Sequence, residues 1–186
     1  DQDYPHALHT LSVKYLFGEY GGQDIEDGEG RKLLLKAAEL GHPAAQASVG
    51  SMYESGEVGD PDYQQAISWF LKAAEQGSDF AQYRLGSMYS QGKGVEKDSS
   101  QAFNWWSKAA EQGFARAQCG LGFLYKSGDG VDQDNVKAIE WFRKSADQEN
   151  QLCQYGLGKM YMDGLGVDQD DMEAVKWLRK AAEQGL

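Results

Sequence analysis

Apolar residues recur along this chain at helical spacing. Ala66, Trp69, Phe70, Ala73 and Ala74 fall at offsets 0, 3, 4, 7 and 8, which forms one face of an α-helix and excludes the two-residue alternation of a strand. The same face returns as Ala102, Trp105, Trp106, Ala109 and Ala110, as Ala138, Trp141 and Phe142, and as Ala174, Trp177, Leu178, Ala181 and Ala182. It predicts a helix, here termed B. A second stripe precedes each B: Ala45, Val49, Met52, Tyr53; Ala81, Leu85, Met88, Tyr89; Ala117, Leu121, Leu124, Tyr125; Cys153, Leu157, Met160, Tyr161. It predicts a helix A. Gly50, Gly86, Gly122 and Gly158 interrupt helix A. Glycine inside a helix costs about 1 kcal/mol relative to alanine, so these positions predict close backbone approach by a neighbouring helix.

The two stripes alternate with a period of 36 residues, marked by lysines at 36, 72, 108, 144 and 180. Each lysine opens the phrase Lys-Ala-Ala-Glu-Gln-Gly or a blurred copy of it. A fixed period in this range is the signature of a repeat array. The glycines of Gly92-Lys93-Gly94-Val95, Gly128-Asp129-Gly130-Val131 and Gly164-Leu165-Gly166-Val167 end helix A, with Gly56-Glu57-Val58-Gly59 a rearranged version. Asp62, Asp98, Asp134 and Asp170 each stand four residues before the recurring Ala, where a carboxylate caps the first amides of helix B. Asp170 with Glu173 also has the spacing of a capping box.

Together these residues read Ala-Gln-x-x-Leu-Gly-x-x-Tyr, Gly-x-Gly-Val, Asp-x-x-x-Ala and Trp-x-x-Lys-Ala-Ala-Glu-Gln-Gly. The pattern resembles the Sel-one-like repeat family, relatives of the tetratricopeptide repeat, over about residues 42–186. The resemblance implies an all-α, right-handed α–α superhelix of helix-turn-helix repeats. Its expected units are 1–41, 42–77, 78–113, 114–149 and 150–186, forming one continuous solenoid. Residues 6–41 keep the register but lose the Trp, the Gly-x-Gly-Val and the Ala, so they are expected to be a divergent unit covering the end of the stack. The resemblance also implies a noncatalytic bacterial scaffold or adaptor that holds a protein or peptide in its concave groove. The alternatives are an envelope enzyme hydrolysing a cell-wall or antibiotic substrate, or a structural segment of a longer assembly. Periplasmic, secreted and cytoplasmic locations all remain open.

Composition narrows the partners. A net charge of −11 disfavours nucleic acid, which needs a surplus of Lys and Arg on some face, and an anionic membrane surface. No apolar run reaches the 18 residues needed to cross a bilayer, so membrane insertion is not expected. The chain opens on Asp1 with no initiator Met, which fits either a processed mature protein or an excised segment. No nucleophile, base and orienting group recur together, so enzyme activity is disfavoured and no cofactor is expected.

The stripe of helix A opposite the core varies between units. It carries Phe80, Tyr83 and the adjacent Arg84, then Arg116, Phe123 and Lys126, then Tyr155 and Lys159. Aromatics and arginine are the side chains most enriched at binding hot spots. In an acidic protein, their concentration on one stripe predicts a groove for a peptide with apolar anchors and acidic residues. The competing reading is that the aromatics fill space between neighbouring A helices while the cations reach into water. Trp105, on the core stripe, is expected to cost about 3 to 5 kcal/mol on truncation to Ala.

Other signals are weaker. His6 and His9 stand three apart and His42 shares the repeat position of His6, but a metal site needs three or four converging ligands. Asp129 to Asp134 lacks the terminal glutamate of a calcium loop. The stretch Asp24 to Glu29 reads as a solvated acidic loop. Cys119 and Cys153 lie at different phases of successive A helices, and a disulfide between them is not expected. The disulfide per repeat known in part of the family is not carried over. Val175, Trp177 and Leu178 keep the core pattern in the last B helix, which predicts end-to-end self-association through that repeat or a chain that continues.

Overall fold

The computed structural model describes residues 3–17, 28–57 and 59–185, so most of the acidic stretch from Asp24 lies outside the described residues. Ten helices occur among them: α1 (Asp3–Phe17), α2 (Glu29–Glu39), α3 (Pro43–Ser55), α4 (Tyr63–Glu75), α5 (Asp79–Gln91), α6 (Ser99–Glu111), α7 (Ala115–Ser127), α8 (Asn135–Ala146), α9 (Gln151–Asp163) and α10 (Asp171–Glu183). No strand occurs among the described residues. They divide into two compact units, residues 1–85 with 93–95 and residues 86–92 with 96–186.

Within the first unit, α1 packs on α2 and α3 on α4; within the second, α7 packs on α8 and α9 on α10. The odd-numbered helices from α3 on are the expected A helices and the even-numbered ones from α4 on the B helices. Each B helix from α4 on begins at a capping aspartate. Asp134 is typical: its carboxylate accepts from the backbone N–H of Lys137 at 3.0 Å, and that bond holds its carboxyl below the ordinary aspartate range. Asp170 accepts from Met172 and Glu173. The capping box expected there does not close. The Asp170 N–H donates to the Tyr161 carbonyl, and Glu173 turns to Lys176 and the Trp177 indole instead. The same backbone bond recurs from Asp62 to Tyr53, Asp98 to Tyr89 and Asp134 to Tyr125, so the donor a capping box would satisfy already has its acceptor.

The close approach expected at the helix A glycines exists, but the neighbour is a side chain. A Cβ on Gly50 would lie 2.8 Å from the Phe70 ring, one on Gly86 2.4 Å from Trp106, one on Gly122 2.4 Å from Phe142 and one on Gly158 2.7 Å from Leu178. The second residue of each aromatic pair in helix B therefore lodges in a notch that only glycine leaves open. Phe70 and Phe142 are fully buried and Trp106 nearly so. The first residue behaves differently: Trp69, Trp105 and Trp141 are half-buried. This corrects the expectation for Trp105, whose truncation opens little enclosed volume.

These tryptophans, together with Trp177, which is buried in the last unit, explain the recurring lysine. The ammonium groups of Lys72, Lys108, Lys144 and Lys180 sit 3.9, 4.3, 4.0 and 4.5 Å from the ring centroids of Trp69, Trp105, Trp141 and Trp177. Residues three apart on a helix are neighbours, and a cation over an indole face is attracted by its quadrupole.

A second recurring bond joins each B helix to the A helix after it. Gln46, Gln82, Gln118 and Gln154 are buried, and each side-chain amide donates to the carbonyl of the alanine eight residues earlier, at 3.1, 3.1, 3.2 and 3.2 Å. Those carbonyls belong to the last turn of a B helix, where acceptors lack partners within the helix. Gln76, Gln148 and Gln184 then donate to the oxygens of Gln46, Gln118 and Gln154.

Candidate functional site

The residues expected to line a groove fall on two patches. In the first unit, Phe80, Tyr83 and Arg84 are all half-buried. Phe80 stands edge-on to Phe70, with ring centroids 6.4 Å apart. Arg84 pairs with Glu54, and both side chains are largely covered. That cation is already neutralised within the unit, and the competing space-filling reading describes this patch better.

In the second unit the stripe opens. On α7, Arg116 is exposed, Phe123 is 38% exposed and Lys126 is half-buried. On α9, Tyr155 is 44% exposed, flanked by exposed Leu152 and Met162. Lys159 reaches the Met162 sulfur at 3.7 Å and the Asp163 carboxylate at 3.8 Å. Phe123 also turns its ring edge toward buried Phe142, with centroids 4.9 Å apart, so it is part anchor for the core and part surface. Leu152 and Met162 belong to the same stripe but were not among the expected contact residues.

The unexpected feature lies between these two helices. Cys119 and Cys153 form a disulfide with a Cα–Cα distance of 5.7 Å, correcting the expectation of unpaired thiols. The two cysteines are 34 residues apart, two fewer than the repeat period. The phase difference that argued against pairing matches how neighbouring A helices meet, with the later residue one half-turn nearer its helix start. Both cysteines are buried, and their bond ties α7 to α9 directly beneath the exposed stripe.

Three histidines gather in the first unit. His6 Nδ1 and His42 Nε2 lie 3.3 Å apart, and the His9 ring stacks on His42 with centroids 4.5 Å apart. Among the described residues, no group of three or more His, Cys, Asp or Glu is arranged to hold a metal ion. His42 is the N-cap of α3, its Nδ1 accepting from the Ala45 N–H at 3.3 Å. Burial first, then the neighbouring imidazoles, lowers the pKa of both His9 and His42. The neutral forms are therefore the ones the fold favours, and stability from these groups is full above the unfolded value of about 6.5 and lost as pH falls through the folded values. A protonated His42 also cannot accept the cap hydrogen bond. The protection of the amides at the start of α3 against exchange, corrected for the intrinsic pH dependence of exchange, should fall as the pH drops below about 6.5. In a His42→Asn variant, which keeps a capping oxygen, that fall should flatten; an unchanged fall would show that other groups cause it.

Stacked helical hairpins of fixed period define a helical-repeat protein. The Sel1 repeat family model matches residues 5–42, 43–78, 79–114, 115–150 and 151–186, and the chain belongs to that family. Its members generally serve as protein-interaction scaffolds and are typically noncatalytic. The chain is similar to c5321, a protective antigen present in uropathogenic Escherichia coli strains displaying an SLR fold, at 38% identity and a TM-score of 0.89. It is also similar to a Sel1 repeat protein from Oxalobacter formigenes, at 38% identity and a TM-score of 0.84. Both matches cover 100% of this chain, which spans 39% of the first protein and 53% of the second. An immunity protein from Pseudomonas aeruginosa, PA5088, shares the fold at 21% identity and a TM-score of 0.58, over 98% of this chain and 66% of that one. Among curated proteins none matches the chain. No helix among the described residues is long and apolar enough to cross a membrane.

Proposed function

We propose that the protein is a noncatalytic interaction scaffold, and that the exposed stripe of α7 and α9 holds a protein or peptide with apolar anchors and acidic residues. One observation carries this reading. Phe123 on α7 and Leu152, Tyr155 and Met162 on α9 remain exposed on two helices joined by the Cys119–Cys153 bond, and the same helices carry Arg116, Lys126 and Lys159 in a chain of net charge −11. Exposed large apolar side chains with polar neighbours mark interaction sites, and the local cations favour carboxylates on the ligand. The disulfide beneath supports the reading in two ways. It fixes the two helices relative to each other, which lowers the ordering cost of binding, and its persistence calls for an oxidising compartment such as the periplasm or the exterior.

The experiment is to recover a partner by affinity capture and then titrate it against the wild type and a Leu152→Ser, Tyr155→Ala double variant. Truncating two hot-spot side chains should weaken binding about 30-fold or more. Because both are surface residues, the melting temperature should move by less than about 2 °C. Unchanged affinity in a variant that melts normally would reject this stripe as the site.

A further inference from the structure

A cavity of about 690 Å³ opens within the first unit, lined by residues of α1, α2, α3 and the start of α5. Its inner wall is apolar. Leu34, Ala47 and Met52 are buried there, with half-buried Leu16 and Phe80 and exposed Val13 nearer the solvent. Sites for small organic molecules enclose about 300 to 1,000 Å³ between walls of this kind, with a few polar groups that fix orientation.

The space exists because α3 carries small side chains where its counterparts carry large ones. At the repeat positions of Ala44 and Ala47 the later A helices have Phe80 and Tyr83, Arg116 and Cys119, and Leu152 and Tyr155. At the position of Ser51, α7 has Phe123. The hollow is therefore particular to this unit and does not follow from the repeat itself.

Its polar border is rich in acceptors. Ser48 and Ser51 donate their hydroxyl protons to the Ala44 and Ala47 carbonyls, at 3.0 and 3.1 Å, which leaves each oxygen able only to accept. Glu57 takes the Ser55 hydroxyl at 3.2 Å and Asp79 the Phe80 N–H at 2.6 Å, and a carboxylate has lone pairs for about four such bonds. Among the described lining residues these two carboxylates face one cation, Arg31. We propose that the cavity is a binding site for a small amphipathic amine, with its apolar body against Leu34, Met52 and Phe80 and its ammonium taken by the acceptor border. The site is independent of the α7 and α9 stripe, since none of its residues belongs to the second unit.

The test is calorimetric titration of the whole chain with three probes of similar apolar body: phenylbutylamine, phenylbutanol and phenylpentanoate. The amine should bind saturably with a dissociation constant of about 1 mM or below. It should bind about fivefold more tightly than the alcohol, with the carboxylate weakest. Ala44→Phe and Ser51→Phe, which give α3 the side chains found at Phe80 and Phe123, should each weaken the amine about tenfold or more by filling the space. Ala44 is exposed, so its substitution should move the melting temperature by less than about 2 °C. Glu57→Gln with Asp79→Asn should bring the amine and the alcohol to equal affinity while leaving the alcohol unchanged. No saturable binding of any probe, binding that both filled variants leave intact, or an amine preference that survives loss of both carboxylates would overturn the proposal. Tighter binding of the carboxylate would overturn it as well, and would assign the cavity to an acid paired with Arg31.

Discussion

Replacing Phe142 with Ala should lower the unfolding free energy by about 3 to 5 kcal/mol. The ring is fully buried in the core of the second unit, among Ile139, Leu157 and Met160. It occupies a notch closed by Gly122, and a Cβ added to Gly156 would also meet the ring, at 3.5 Å. Large-to-small substitutions cost most where the surroundings cannot collapse into the void. Here the nearest walls are glycines, which have no side chain to lean inward, so the upper part of the range is expected. Trp105→Ala provides the contrast. That ring is half-buried and shared with the Lys108 ammonium, and its loss should cost about 1 to 2 kcal/mol. Urea titrations of both variants, compared at equal slope, would decide. A Phe142→Ala loss below about 1.5 kcal/mol would mean that the notch closes after all.

Breaking the Cys119–Cys153 bond should come next in size. The two residues are separated by 34 positions, and the chain-entropy treatment of a loop of that length gives about 3 to 4 kcal/mol. For a chain of this size the corresponding drop in melting temperature is about 8 to 15 °C. A reducing agent should therefore shift the wild-type melting curve and leave a Cys119→Ala, Cys153→Ala variant unmoved. A wild-type curve insensitive to reductant would show that the bond contributes nothing to stability.

The repeat architecture was legible because it is written redundantly. The faces around Ala66 and Ala45 recur in unit after unit, and their spacing admits only helices. The division of labour inside each aromatic pair was not. Trp105 and Trp106 are adjacent and alike in hydrophobicity, and only the packing shows that the second fits the glycine notch while the first carries the lysine. The disulfide was not legible because Cys119 and Cys153 sit at different phases of successive A helices, and only the packing shows that these two helices meet with a shift of two residues. In the candidate site, the outward stripe was legible at Phe123 and Tyr155. At Arg84 it misled, since the partner Glu54 lies 30 residues earlier and nothing local announces the ion pair. The role of the buried glutamines becomes visible only when the units are set beside one another.

Those glutamines bear on how the chain reaches its final form. Each clasps a carbonyl just eight residues upstream, across the tight turn between one hairpin and the next. Contacts so close in sequence close quickly, because little chain entropy is lost in making them. Neighbouring hairpins can therefore find their alignment while distant parts of the polypeptide are still unformed. Such a molecule should assemble in steps as it emerges from the ribosome, without waiting for its last residue.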